Sequence, residues 1–290
     1  MIRFRNTLSL FILLALVSNC KKESSLGTSP SLDEVKSYVH NTHDSWAVFT
    51  YAQYKTLLTE LQKDKYTVLT VNDFRSYYNP NKVVVALRHD IDWHPFKALE
   101  MAQMEKDYGL TSTWYVLPTA PYFAKYSTRK VNRFTSMIPL YQSIQDCGCE
   151  VGIHNDLLTA MVIYKLDPKE VNDNDLNFFH NSNIKIWGSA AHGATVAQKS
   201  HVINYEMYSD FTTRSSFTYY GKSFPLGSYS LKDYQFQYEA YHVDYDVYLS
   251  DVGGVWNVKG GQFEQMMKEL STTDIGKRVQ ILVHPVWWGK

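Results

Sequence analysis

The sequence predicts an α/β fold, a distorted (β/α) barrel of about seven parallel strands, and three observations carry that prediction. Residues 83–87 (VVVAL) are consecutive apolar residues rich in β-branched valine. Such a run reads as a strand buried on both faces, as in a parallel sheet covered by helices. Beyond residue 92, strand-like and helix-like segments alternate to the end of the chain, in roughly six or seven units. A chain of 290 residues with 44% hydrophobic content is also long enough to bury one large core.

From the N-terminus, Arg3 and Arg5 precede an apolar run at residues 8–17 (LSLFILLALV), which is followed by Ser18, Asn19, Cys20, Lys21 and Lys22. A basic start with an apolar stretch too short to span a bilayer reads as an export signal over residues 1–19. Val17-Ser18-Asn19-Cys20 resembles a bacterial lipoprotein signal, although Asn19 stands where Gly or Ala is usual. That resemblance implies lipidation of Cys20 and attachment to a membrane of the cell envelope, on its periplasmic or outer side. A plain secretory signal with an incidental cysteine is the other reading. Residues 20–32 are mostly Ser, Lys, Gly and Pro and form a flexible tether to a domain over residues 33–290.

Within that domain, Tyr51, Tyr54, Leu57, Leu58 and Leu61 recur at helical spacing, and residues 66–71 (YTVLTV) alternate like a strand. The valine-rich strand follows. Phe96, Leu99, Ala102 and Met104 predict a helix over residues 95–108, stopped by Gly109. Strands are expected at residues 111–117 (TSTWYVL), 150–154 (EVGIH), 184–188 (IKIWG), 245–249 and 279–283 (VQILV), and helices at residues 137–146, 168–180 and 262–270. Residues 200–243, rich in Tyr, Ser and Thr, fit extra strands or site loops equally well. Cys147 and Cys149 are too close for an ordinary disulfide between neighbouring elements, and no second cysteine pair completes a structural zinc site, so they read as packed thiols.

Charge narrows the functional classes. The 29 basic residues balance 29 acidic ones, so no net field recruits nucleic acid. The chemistry-bearing residues fall instead at strand ends. In an extended chain Arg88, Asp90 and Asp92 share one face and His89 and Ile91 the other. Taken alone, the two aspartates read equally as caps for the helix that begins near Pro95. They have company: His154 and Asp156 follow EVGI, His192 follows IKIWGSAA, Asp251 follows DYDVYLS, and His284 follows VQILV. In a barrel those carboxyl ends converge on one rim, where His and carboxylate side chains can hold a catalytic divalent metal.

In this order the residues resemble the polysaccharide deacetylases, the nodulation-type homology domain of carbohydrate esterase family four. The resemblance is carried by Arg88-His89-Asp90-Ile91-Asp92, by Ala98-Leu99-Glu100-Met101-Ala102 with Gly109 and the following strand, by Glu150-Val151-Gly152-Ile153-His154, and by Leu282-Val283-His284-Pro285. It spans about residues 83–290 and implies a barrel of the glycoside hydrolase/deacetylase type. The activity it implies is metal-dependent hydrolysis of N- or O-acetyl groups on an acetylated polysaccharide or envelope glycan, with a divalent metal, zinc by expectation. By position, Asp90 would be the general base, Asp92 and His154 metal ligands, and His284 the acid that protonates the leaving group. The family's second metal histidine would fall at residue 158, which is Leu158 here. His192 is the preferred third ligand, because Gly193 beside it allows close backbone approach; Asp156 is the alternative. Arg88 would favour ionised Asp90, and Asp251 would orient the acid or is explained equally well by the Gly253-Gly254 turn that follows it. Trp287 and Trp288 read either as a sugar platform or as a buried pair. The chain is expected to be a monomer. Two other readings remain: a catalytically impaired glycan-binding lipoprotein of the same fold, and a different metal-dependent hydrolase on a barrel.

Overall fold

The structure is a computed structural model and describes residues 29–289. The expected signal, Cys20 and the tether up to residue 28 lie outside the described residues. The sheet is built around β2 (Val83–Ile91), all nine residues of which are buried. β1 (Tyr66–Leu69) pairs with its first half and β3 (Thr113–Val116) with its second. β12 (Arg278–Val283) pairs with the opposite edge, from Val84 to His89. With β6 (Glu150–Asn155), β7 (Ile186–Ala191), β10 (Tyr238–Glu239) and β11 (Val247–Ser250), the order is β10-β7-β6-β3-β2-β12-β11, and every pairing is parallel. The sheet is a curled half-barrel with helices around it, the distorted α/β barrel expected from the sequence. Among the described strands no pairing joins β10 to β11, so the barrel is open there.

Alternation along β2 divides the core in two. Val83, Val85, Leu87 and Ile91 join the large cluster under the helices, while Val84 and Ala86 join a second cluster with Tyr115, Ala190, Tyr238 and Ala240 inside the curl. Arg88 and Asp90 continue the inner row, as the period of two requires. Two tyrosines fill this interior. Tyr115 donates to Tyr238 at 2.8 Å, and Tyr238 donates to Glu150 at 2.7 Å. Their rings lie against Gly152 and Gly188; a Cβ at Gly188 would meet the Tyr238 ring at 2.2 Å, so that strand position must be glycine.

The covering helices start and stop where local chemistry directs. α1 (Leu32–His43) precedes the barrel, and α2 (Tyr51–Leu61) opens with a capping box between Thr50 and Gln53. The strand expected over 66–71 ends at Leu69, because Thr70 accepts from the Asp73 amide and caps the short α3 (Val71–Phe74). α4 (Pro95–Asp107) has proline in its first turn, and Gly109 past its end takes φ +68°. β4 (Ala124–Ser127) and β5 (Lys130–Arg133) form a hairpin with no clear sequence signal, ahead of α5 (Ile138–Asp146). α6 (Leu157–Val162) follows β6, and α7 (Pro168–His180) is capped by Asp167. The strand expected at 184–188 runs instead over Ile186–Ala191, with a register irregularity against β6 between Val151 and Ile153. The undecided residues 200–243 follow α8 (Thr195–Ser200) and supply a hairpin, β8 (Ser216–Tyr219) with β9 (Lys222–Pro225), several 3-10 turns and the short β10. α9 (Phe263–Thr272) leads into β12. Among the described residues no helix is long and apolar enough to cross a membrane.

Candidate metal centre

Three donor atoms converge at the carboxyl ends of β2, β6 and β7. The Asp92 Oδ1 atom is 3.2 Å from His154 Nε2 and 3.5 Å from His192 Nδ1, and the two nitrogens are 3.0 Å apart. Donors bound at 2.0–2.1 Å to a tetrahedral ion stand roughly 3.3 Å from one another, so the observed triangle has the right edge for zinc. Two further observations support the fit. His154 Nδ1–H donates to the Ala190 carbonyl at 2.9 Å, which leaves Nε2 as the ligand atom and sets the ring plane. Asp92 Oδ1 is buried and accepts no hydrogen bond, an orphan a cation would satisfy. Burial pushes the Asp92 carboxyl up, but the imidazoles of His154 and His192 outweigh it and hold it well below the usual range.

Asp90 lies beside this triangle, with Oδ2 at 3.6 Å from His154 Nε2. It is gripped in bidentate fashion by Arg88, Nε to Oδ1 at 2.9 Å and Nη2 to Oδ2 at 2.7 Å. Arg88 is itself fully buried, under the Tyr241 ring at 4.3 Å and against Gln280 Oε1 at 3.2 Å. Burial raises the Asp90 pKa, but Arg88 and then His154 more than offset it, so the carboxylate stays ionised below its ordinary range. Tyr122 fixes the end of β2 by donating to the Ile91 carbonyl while accepting from the Leu117 amide at 3.1 Å.

The third group is His284, after β12. Its Nδ1–H donates to Asp251 Oδ1 at 2.6 Å, and its backbone amide meets the same carboxylate at 3.1 Å. Burial alone would lower the imidazole pKa; Asp251 reverses this and lifts it to about 9. Trp288 Nε1–H donates to the other Asp251 oxygen at 2.8 Å. Trp288 is fully buried, its ring 4.9 Å from Phe49 and 5.2 Å from Tyr54, so it has no face to offer a sugar and acts on the site through Asp251. Trp287 is partly exposed and stacks on Trp46 at 6.0 Å.

The remaining candidates separate cleanly. Asp156 is outside the triangle: it accepts from Thr119 at 2.6 Å and from Asn204 at 3.3 Å. Leu158 is fully buried in the hydrophobic core and offers no donor atom to the triangle. His89 points away from the site, as the period of two predicts, stacking on Trp114 at 3.7 Å and pairing with Glu105 at 2.6 Å. Sequence reasoning missed Asn204, which donates to the His192 carbonyl, and Glu239, which accepts from the Ala191 amide next to it; they lie in residues 200–243, where no motif spacing marks them. Comparison with protein-family models, curated proteins and solved structures found no match in any of the three.

Proposed function

We propose that the chain is a metal-dependent hydrolase that removes acetyl groups from an acetylated polysaccharide or cell-envelope glycan. The observation that carries this reading is the triangle of Asp92, His154 and His192, flanked by the Arg88-bound carboxylate of Asp90 and by the Asp251-bound imidazole of His284. A zinc ion held by the three ligands would act as a Lewis acid toward the acyl oxygen and make water more acidic. Asp90, kept ionised by Arg88, serves as the base that receives the proton of the attacking water. His284, kept protonated by Asp251, gives a proton to the departing amine or alkoxide nitrogen or oxygen. The two groups are thus tuned in opposite directions by their partners, the arrangement an acid–base pair needs. In the same reading, Cys20 carries a lipid anchor that holds the monomeric domain at the bacterial envelope, with the glycan as its partner.

The test is acetate release from a panel of acetylated glycans by the zinc-loaded protein, with zinc content measured alongside. Asp92→Ala, His154→Ala and His192→Ala should each lose bound zinc and acetate release together, and Asp156→Ala should keep its zinc. A zinc-loaded chain that frees reducing ends or phosphate but no acetate would overturn deacetylation. A wild-type chain holding less than about a tenth of an equivalent of zinc would overturn the metal-dependent reading itself.

A further inference from the structure

Given the metal centre proposed above, we infer that Asn204 and Glu239 are positioning residues for the third ligand, His192. The ligand sits one residue past β7, whose pairing with β6 ends at Ala191. On one edge β7 pairs with β6 as far as Asn155 with Ala191, but on the other it pairs with β10 over only two positions, Tyr238 with Gly188 and Glu239 with Ser189, which leaves the last two residues of β7 unpaired on that edge. Buried polar contacts complete the support of this exit. The His192 amide donates to the Asn155 carbonyl at 2.8 Å. Asn204 Nδ2 donates to the His192 carbonyl at 2.8 Å, while its Oδ1 accepts the Leu158 amide at 2.9 Å. Glu239 Oε1 accepts the Ala191 amide, next to the ligand, at 2.9 Å.

Both clamp residues are buried, Asn204 at 0% and Glu239 at 1% exposure, so neither contact competes with bulk water. Each also reaches a second part of the site. Asn204 ties His192 to the first turn of α6, where Leu158 supplies a backbone amide and no ligand. The other oxygen of Glu239 accepts the Tyr241 amide at 2.8 Å, and the Tyr241 ring covers Arg88, which grips Asp90. One carboxylate therefore ties the ligand side of the centre to the base side. Removing such supports around a metal ligand weakens metal binding about 10–100-fold where the ligand depends on them.

The experiment compares Asn204→Ala, Asn204→Asp and Glu239→Gln with wild type, with His192→Ala as the limiting case. Asn172→Ala, which removes a buried contact to the Tyr234 carbonyl and no hydrogen bond to Ala191 or His192, is the structural control. Zinc affinity is read by competition with a chromophoric chelator, and ligand geometry by the visible spectrum of the cobalt-substituted protein. Amide hydrogen exchange at His192 is followed in the zinc-free chain. Asn204→Ala and Glu239→Gln should each weaken zinc binding about tenfold or more, move the cobalt spectrum toward that of His192→Ala and speed exchange at His192. Asn204→Asp keeps the acceptor for Leu158 and loses the donor to His192, so it should follow Asn204→Ala. Asn172→Ala should leave all three readouts as in wild type. Zinc affinity and His192 exchange within twofold of wild type in both clamp variants would overturn the inference, as would an equal loss in Asn172→Ala. If wild type itself binds no zinc, the metal reading falls, and the clamp is then decided by the exchange rate alone.

Discussion

At the scale of single residues, the site depends on which partner each ionisable group was given. His284 is buried, and burial by itself would make it neutral; Asp251 raises its pKa to about 9 instead. That value exceeds the roughly 6.5 of an unfolded histidine. The pair's contribution to stability is therefore complete below about pH 6.5 and is lost as pH rises through about 9. Asp90 behaves oppositely. Its folded pKa is depressed, so its contribution is present above the unfolded carboxylate value and disappears as pH falls through the folded one. In zinc-free protein, an NMR titration of His284 should show a midpoint near 9, falling by two units or so in Asp251→Asn. The alkaline limb of kcat should move to lower pH in the same variant, with kcat down about 10–100-fold. An unmoved His284 midpoint in Asp251→Asn would remove Asp251 as the orienting partner. The aspartates and histidines of this site were legible because each ends a run of apolar residues, whereas Asp251's hold on Trp288 depends on tertiary packing that no local pattern encodes.

At the scale of the element, β2 shows how much a strand's period of two decides. One row, Val84, Ala86, Arg88 and Asp90, lines the interior of the curl; the other, Val83, Val85, Leu87, His89 and Ile91, meets the helices. The outward row ends in its own buried polar cluster. Glu105 accepts from Tyr54 and from Ser112 at 2.5 Å and pairs with His89 at 2.6 Å. Glu105→Ala leaves Tyr54, Ser112, His89 and the Cys149 thiol without their shared acceptor in a dry core, so urea denaturation should show a loss of about 3–5 kcal/mol. A loss under 1 kcal/mol would mean water or a neighbour satisfies them. β7 makes a second, steric case: Gly188→Ala drives a methyl into the Tyr238 ring and should cost about 1–3 kcal/mol, recovered in part by Gly188→Ala/Tyr238→Leu. Neither effect was visible in the sequence. Glu105 reads there as an ordinary helix residue, and a strand glycine does not say which ring faces it. β7 itself was placed two to three residues early, because Ser189-Ala190-Ala191 carries little strand propensity and is held by pairing with β6.

At the scale of the whole molecule, parallel strands bring groups distant in sequence to one rim. Asp90 and Asp92 lie almost 200 residues from His284, yet all sit at the carboxyl ends of strands that adjoin in the sheet, β2 and β12. This arrangement could be anticipated because strand and helix alternate regularly from residue 83 to 191 and again near the C-terminus. It could not be anticipated over residues 200–243, where turns and two-residue pairings replace periodic elements and where Asn204 and Glu239 arise. The rim holds two imidazoles and the Asp92 carboxylate close together, so an ion bound by all three would stabilise the entire barrel. On the proposed reading, zinc at a hundred times its dissociation constant would add about 2.7 kcal/mol to the folded state. For a domain of this size that corresponds to a rise in Tm of about 5–10 °C. Thermal scans with zinc and with a chelator should therefore differ by that amount in wild type, by nothing in His192→Ala, and by nearly the wild-type amount in Asp156→Ala. The unzinced baseline matters as much as the difference. His192→Ala removes a partly exposed ring from a charged cluster, so its Tm in chelator should stay within a few degrees of wild type. A variant that lost its zinc response only because it had already unfolded would show that at once, and the stabilisation would then have to be assigned to packing at the rim and not to a ligand.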